Sequence, residues 1–350
     1  MTISDLTIII PTHERHKYVE RSLEYWEPFP AKIIAIDSSY NKSDLKLSNI
    51  CNYIHVPNMG FIEKLTIAVG AVGTKYCVLC ADDDFHSFSA LNKSVMFLDS
   101  NKDFASVQGS YILFSQDDEV VEYGIGYDHI HDYAVKSEDP AQRMTDALKK
   151  YMHQFYAVHR TSNLRLTVNA CRGIKNGNAV ELGFSLVPMM AGKTIILPMF
   201  YSAREIIPKS GGRMTSSLSA WASDPVNQGE VFLWRMQLAE TFVEVTGLSL
   251  DSGLLAVDEA YKAYIAYCDS ASQRGVRWKE LVRPYIPRSL LEIRRRVMLR
   301  ENIWRPIPGS TIDSRAIYSA EHKNTPGYPW SDSDAAAAWS RMLSVIRRHG

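Results

Sequence analysis

Tyr76-Cys77-Val78-Leu79-Cys80-Ala81-Asp82-Asp83-Asp84-Phe85 joins an apolar run to three consecutive carboxylates. Tyr76 to Cys80 reads as a strand buried on both faces. The acids stand where that strand should end. A protein interior does not take up three neighbouring negative charges without something to neutralise them. Either the strand ends in water and the acids form a solvated turn, or they hold a divalent cation. Hard cations take oxygen ligands, and Mg²⁺ is commonly held by one or two carboxylates together with substrate phosphates. On an extended backbone Asp82 and Asp84 point one way and Asp83 the other. The spacing therefore offers a two-carboxylate clamp. Taken alone the triplet is more often a plain turn; what precedes it favours the metal.

Upstream, Leu6 to Ile10 is an apolar, β-branched run closed by Pro11, again the pattern of a strand buried on both faces. Thr12-His13-Glu14-Arg15 opens a helix to about Trp26, with Tyr18, Val19, Leu23 and Trp26 on one side. Ile33 to Ile36 is a second buried strand, ending at Asp37-Ser38-Ser39. A short helix over Ser43–Leu47, a strand over Tyr53–Val56 and a helix over Phe61–Val72 lead to the opening strand. This β-α-β-α-β-α-β order predicts right-handed crossovers and a mostly parallel sheet. In open α/β sheets ligands bind outside the carboxyl ends of the strands. Thr12 to Arg15, Asp37 to Ser39 and Asp82 to Asp84 all fall at such ends, and their convergence is the evidence for a site. No G-x-G-x-x-G follows the first strand and no Walker A motif is present, which excludes the usual dinucleotide and P-loop arrangements.

Four motifs in this order carry a more specific resemblance: Ile8-Ile9-Ile10-Pro11-Thr12-His13-Glu14-Arg15, Ile36-Asp37-Ser38-Ser39, Asn58-x-Gly60-x-x-x-Lys64 and Asp82-Asp83-Asp84. Together they resemble the N-terminal half of a GT-A-fold glycosyltransferase of the family 2 type, in particular the bacterial subgroup whose D-D-D-F box occurs in surface-polysaccharide gene clusters. The resemblance is strongest over residues 5–110, weaker to about 210 and absent beyond. It implies that Pro11, Thr12 and Arg15 border the nucleotide. It implies that Asp37 accepts a hydrogen bond from base or ribose and that Lys64 lies near base or diphosphate. Asp82 and Asp84 match the D-x-D element, in which one carboxylate touches ribose and the last binds Mn²⁺ or Mg²⁺. Asp84 is then the metal ligand, Asp82 serves ribose or a water on the metal, and Asp83 stands behind them. The chain departs from the pattern at Glu14, where Asn is usual, and at Asp37-Ser38-Ser39, where Asp-Asp-Gly-Ser is usual.

Downstream, a helix is expected over Ser87–Leu98, a strand over Ala105–Phe114 and its hairpin partner over Glu119–Tyr123. The loop Gly124–Tyr133, with Tyr127, His129 and His131, either lines the acceptor side or is an ordinary surface loop. It lacks the third ligand that a zinc site needs. Helices follow from Glu138 to Met152, from Thr161, and from Ala179 to Met190, with short strands over Phe155–Arg160 and Thr194–Phe200. Glu181 is the second residue of interest. An attacking hydroxyl needs a carboxylate to take its proton, and the resemblance implies an acidic base on a helix well downstream of the D-x-D box. The plain alternative is a helix-start glutamate facing the dipole. Arg204 either helps to bind diphosphate or an acidic acceptor, or forms a structural salt bridge. Ser210–Ser217 is a Gly/Ser loop of the kind that, in the resembling enzymes, closes over the donor.

The chain has 350 residues, a formal net charge of zero, 46% hydrophobic and 22% charged residues. That is the composition of a globular protein and excludes a dedicated nucleic-acid binder. No apolar run approaches the ~18 residues of a membrane span. The N-terminus lacks the basic and apolar regions of a signal peptide. The five scattered cysteines imply no disulfide framework, so a cytoplasmic setting fits; Cys77 and Cys80, three apart on a strand, read as buried packing. Residues 271–305 hold ten Lys/Arg against three Glu, interleaved with Leu290, Leu291, Ile293 and Trp304. Such a stretch suits anionic lipid at the inner face of a membrane, or else is a solvated face or a contact with an acidic subunit.

The expectation is an α/β GT-A-like domain over 1–222, with a nucleotide-sugar half over 1–110 and an acceptor half over 111–222, followed by a helical region over 223–350. The resemblance implies metal-dependent transfer of a sugar, with inversion, from a nucleotide-sugar donor to a glycan or lipid-linked acceptor in surface-polysaccharide synthesis. Two alternatives are a sugar nucleotidylyltransferase, which would want a Gly-rich basic loop in place of Pro11-Thr12-His13-Glu14, and a non-catalytic nucleotide-sugar-binding scaffold.

Overall fold

A computed structural model describes residues 3–44, 51–117, 120–125, 133–206, 217–281 and 332–349. The sheet is built from β1 (Leu6–Thr12), β2 (Lys32–Asp37), β3 (Cys51–His55), β4 (Tyr76–Leu79), β5 (Phe85–His86), β6 (Phe104–Asp117), β7 (Val120–Ile125), β8 (Ala134–Val135), β9 (Val158–Arg160) and β10 (Lys193–Glu205). Its main path runs β3-β2-β1-β4-β9-β6-β10-β5, with β7 paired to β6 and β8 to β10. β3, β2, β1 and β4 are parallel neighbours. The short β9 lies antiparallel between β4 and β6, so β6 and its parallel neighbour β10 point the same way as β4. The central sheet is therefore mostly parallel, and its long strands end on one edge. β6 and β7 form the expected hairpin.

Alternate residues of each strand enter different cores. Ile9, Ile34, Ile36, Cys77 and Leu79 pack on one side, against α2 (Phe61–Gly70), α4 (Pro140–Lys149), α5 (Thr161–Ala170) and α6 (Gly177–Ala191). Ile8, Ile10, Ile33, Val78 and Cys80 pack on the other, against α1 (His16–Trp26) and α3 (Phe88–Ser100). Helices on both faces explain why the strands read as unbroken apolar runs. Cys77 and Cys80 are free and buried, on opposite sides of the sheet.

The helical C-terminal region extends these same two cores. After α7 (Leu218–Ser223), α8 (Gln228–Thr246) and α9 (Leu250–Leu281) form a hairpin closed by Gly247, whose φ of 72° suits a glycine C-cap. Trp234, Leu238, Phe242, Val257 and Ala260 join the first core. The last helix, α10 (Ser333–Arg348), puts Trp339, Met342 and Ile346 into the second. Trp339 meets the ring of Tyr123 at 5.0 Å, Phe200 at 6.4 Å and Phe114 at 6.5 Å. Trp339→Ala is expected to lower the unfolding free energy by about 3–5 kcal/mol, the usual cost of emptying a buried Trp site. Urea unfolding followed by circular dichroism measures it; a loss under about 1 kcal/mol would mean that α10 does not belong to the core.

α4 and α6 are tied together by a buried cation. Arg143 donates to the carbonyls of Met189 and Met190 at the end of α6, through Nε at 2.7 Å and Nη2 at 2.9 Å. Its Nη1 donates to the carbonyls of Ser137 and Glu138, each at 2.9 Å. Carbonyls at a helix C-terminus have no partner of their own, and a cation suits that end of the dipole. This clamp fixes α6, and with it Glu181, beside the 150–156 segment that follows α4.

Candidate active site

The acidic run does not continue the strand. β4 stops at Leu79, and Asp82 and Asp83 form a turn before β5. The alternation expected of an extended backbone is therefore lost. Asp83 does not point away from Asp82. Both face Arg15: Asp83 accepts its Nη2–H on Oδ2 at 2.6 Å, and Asp82 Oδ1 lies in a longer ion pair at 3.4 Å. Asp84 instead faces β10, accepting the Glu205 N–H on Oδ1 at 2.9 Å and facing Arg204 Nε from Oδ2 at 3.4 Å.

All three carboxylates are buried. Burial pushes Asp82 up to about 6, aided by Asp83 and opposed by Arg15, Thr12 and Lys64. Burial and then Asp83 drive Asp84 well above the usual carboxylate range, despite Arg204 and the Glu205 N–H. Burial thus outweighs the neighbouring cations and makes the ionised form of these two carboxyls costly. Among the described residues no three His, Cys, Asp or Glu side chains are grouped to enclose a metal ion. The buried carboxylate oxygens are hard donors of the kind that a divalent cation accepts when phosphate and water supply its remaining ligands.

The loops after β1 and β2 close over one another. Thr12 Oγ1 donates to Asp82 Oδ2 at 2.6 Å. Ser39 Oγ accepts the Glu14 N–H at 2.6 Å, and the Glu14 carboxylate accepts the Tyr40 N–H at 2.7 Å. Glu14 sits at φ 54° and Asn58 at φ 57°, left-handed conformations that non-glycine residues seldom adopt outside functional loops. Asp37 is fully buried. Its Oδ1 takes the Ser39 N–H at 2.7 Å; its Oδ2 takes the Tyr53 hydroxyl and lies 3.0 Å from His16 Nε2. Burial works against its charge, but these hydrogen bonds outweigh it and hold the carboxyl below its ordinary value. Asp37 thus ties His16 and Tyr53 together at the end of β2.

Lys64 is buried too, its Nζ donating to the Thr12 carbonyl at 2.6 Å and to Ser38 Oγ at 3.1 Å. It clamps the ends of β1 and β2. Burial pushes its ammonium from 10.5 down to about 8, against the pull of Asp82 and Asp37. Below about pH 8 the folded and unfolded chains both carry this proton, and the cost of burying it stands in full. Between pH 8 and 10.5 the unfolded chain keeps a proton that the folded one sheds, so stability rises with pH. Relative to a Lys64→Met variant, the wild type is expected to gain on the order of 3 kcal/mol across that window, at ~1.4 kcal/mol per unit. Urea unfolding at stepped pH reads this out, and a pH-independent difference would contradict a buried ammonium.

Glu181 lies past the first turn of α6, which begins at Gly177 rather than at Ala179, and is partly exposed. Its Oε1 accepts the Tyr151 hydroxyl at 2.9 Å. Phe184 and Ser185, one turn further along α6, hold Phe155, ring to ring at 4.5 Å, and the Gln154 N–H at 3.3 Å. Arg204 lies between the acidic turn and the 150–156 segment, facing Asp84 at 3.4 Å and His153 at 2.7 Å. Burial opposes its charge, but Tyr156, Asp84, Tyr111 and Glu181 together hold the guanidinium above its ordinary value.

The folded chain thus brings Thr12, Arg15, Lys64, Asp82, Asp83, Asp84 and Arg204 into one cluster, with Pro11 half-exposed at its edge. Four members had no signal in the sequence. Arg21 donates to the Asp83 carbonyl at 2.9 Å and pairs with Glu205; His153 and Tyr151 precede β9. They read as ordinary helix, strand-end and core residues, because their partners are remote in sequence. The loop with Tyr127, His129 and His131, the 210–216 part of the Gly/Ser loop, residues 45–47 of the short helix and residues 282–305 of the basic stretch lie outside the described residues. Among the described residues no helix is long and apolar enough to cross a membrane.

No protein-family model and no curated protein matches the chain. Among solved structures it is similar to S. aureus TarS residues 1–349, with 14% identity and a TM-score of 0.43 over 77% of this chain and 92% of that one. The same TarS fragment in complex with UDP-GlcNAc gives 13% identity and 0.43 over 77% and 92%. With UDP it gives 14% and 0.39 over 78% and 92%. Likenesses this remote leave the reading of the site to the side chains described above.

Proposed function

We propose that this chain is a metal-dependent glycosyltransferase. It moves a sugar, with inversion, from a nucleotide-diphospho-sugar to a hydroxyl of a glycan or lipid-linked acceptor. The observation that carries the reading is the buried carboxylate cluster Asp82–Asp84, set beside Arg15 and Arg204 at the carboxyl edge of a mostly parallel sheet, with Glu181 near enough to act on the Arg204 charge. Asp84 and Asp82 would hold Mn²⁺ or Mg²⁺, which when bound offsets the charge that develops on the leaving diphosphate. Arg15 and Arg204 border the donor phosphates, while Thr12 and Lys64 keep the strand ends in register around them. Glu181 takes the proton of the attacking hydroxyl, its carboxylate aimed by Tyr151. The 1–222 unit carries this chemistry, and the helices after it support the acceptor wall through Tyr264, whose ring lies 5.1 Å from that of Tyr151.

A thermal-shift screen against nucleotides and nucleotide-sugars, with and without Mn²⁺, tests the reading. A ligand that binds only the native state raises the melting temperature. The expected result is a metal-enhanced shift with one nucleoside diphosphate and its sugar conjugates. No shift with any of them would remove the donor site. A shift without turnover of any conjugate would favour a non-catalytic scaffold.

A further inference from the structure

Arg204 is held from three directions, and the way it is held leaves one edge of the guanidinium for an anion. Its carbon stacks over the Tyr156 ring at 4.5 Å and the Tyr111 ring at 5.1 Å. Nη1 donates to His153 Nε2 at 2.7 Å. Nε is buried without a hydrogen-bond partner among the described residues and faces Asp84 Oδ2 at 3.4 Å. Nε and Nη2 form one edge of the guanidinium fork, and such an edge matches two oxygens of a phosphate in a bidentate pair. A buried N–H without a partner is costly, and an arriving phosphate oxygen removes that cost. The Arg204 side chain as a whole is 24% exposed, while its Nε is buried against Asp84.

His153 sets this orientation. It is buried, follows α4 by four residues, and packs edge-on against Tyr156 with centroids 6.0 Å apart. To accept from Arg204 its Nε2 must carry a lone pair, so the ring is neutral with its proton on Nδ1. Burial, then the nearby Arg204 charge, keep the imidazole well below its ordinary pKa, which preserves that acceptor.

The geometry points to His153 as a positioning residue for the donor diphosphate: its Nε2 anchors Arg204 Nη1 so that the Nε–Nη2 edge presents a bidentate site to phosphate oxygens beside Asp84. This rests on the donor-site reading and adds a residue and a binding mode to it. It makes Arg204 a preset fork rather than a diffuse charge. Lysine cannot reproduce such a fork.

Calorimetric titration with UDP, GDP, CDP and dTDP in the presence of Mn²⁺ identifies the diphosphate that the wild type binds most tightly. The same titration is then run on Arg204→Lys, His153→Leu, His153→Phe and His153→Gln, with melting temperatures alongside. Loss of a hydrogen bond to a charged group weakens binding roughly tenfold or more, and this is expected for Arg204→Lys, His153→Leu and His153→Phe. His153→Gln, whose side-chain carbonyl can accept from Nη1, is expected to recover most of the affinity. The double variant Arg204→Lys/His153→Leu should be no weaker than the worse single one, because both act on one contact. Native affinity in a folded His153→Leu or His153→Phe protein would overturn the assignment, as would fully additive losses. If neither variant folds, ¹⁵N-histidine spectra of the wild type decide. An unprotonated His153 Nε2 at pH 6, with and without nucleotide, supports the contact; a protonated one excludes it. No binding by the wild type would sink the donor-site reading and this inference together.

Discussion

Asp84→Asn is expected to lower sugar transfer and sugar-nucleotide hydrolysis by about 10²–10³-fold, the usual effect of removing one preset group that stabilises charge in the transition state. The substitution preserves shape, and the amide carbonyl can still accept the Glu205 N–H now bound at 2.9 Å. It also removes a carboxyl whose ionised form is disfavoured by burial and by Asp83. The melting temperature should therefore stand at or above that of the wild type, which separates a lost site from a lost fold. Initial rates with saturating Mn²⁺, read beside a thermal melt, give both quantities. Wild-type rates in this variant would exclude Asp84 as the metal ligand. The same substitution at Asp83 tests the geometry from another side. Asp83 shares Arg15 with Asp82, so Asp83→Asn should weaken donor binding through Arg15 rather than abolish the reaction.

Glu181→Gln should leave donor binding intact and reduce transfer by about 10²–10⁴-fold, the range supplied by a positioned general base. Glutamine can still accept the Tyr151 hydroxyl, so the wall formed by α6 and the 150–156 segment keeps its shape. Affinity for the nucleoside diphosphate is the control. Transfer to acceptor is the readout. Unchanged turnover would remove Glu181 from the mechanism.

Most of the framework was legible in the chain. Apolar β-branched runs at Leu6–Ile10 and Ile33–Ile36 gave buried parallel strands, and the polar residues at their ends converge as the strand-end rule requires. What failed was local. The alternation assumed for Asp82–Asp84 held only while the backbone stayed extended, and it turns at Asp82. Strand β10 runs on to Glu205, further than its apolar stretch, because it stays paired with β6 as far as Phe114, and Asp84 takes the Glu205 N–H at its end. The partners Arg21–Glu205 and His153–Arg204 are 184 and 51 residues apart, separations that no periodicity encodes. Glu14 and Ser39, read as departures from the family pattern, turn out to be partners: the Ser39 hydroxyl holds the Glu14 N–H in its left-handed loop.

The central claim is that the acidic turn and the two arginines form a metal-dependent donor site. The most direct measurement is release of free nucleoside diphosphate from a panel of nucleotide-sugars, followed by mass spectrometry in Mn²⁺ and again in excess chelator. The account predicts that one base class is cleaved, that chelator stops the release, and that added Mn²⁺ restores it. Release that is indifferent to chelator, or cleavage of no nucleotide-sugar in the panel, would contradict it.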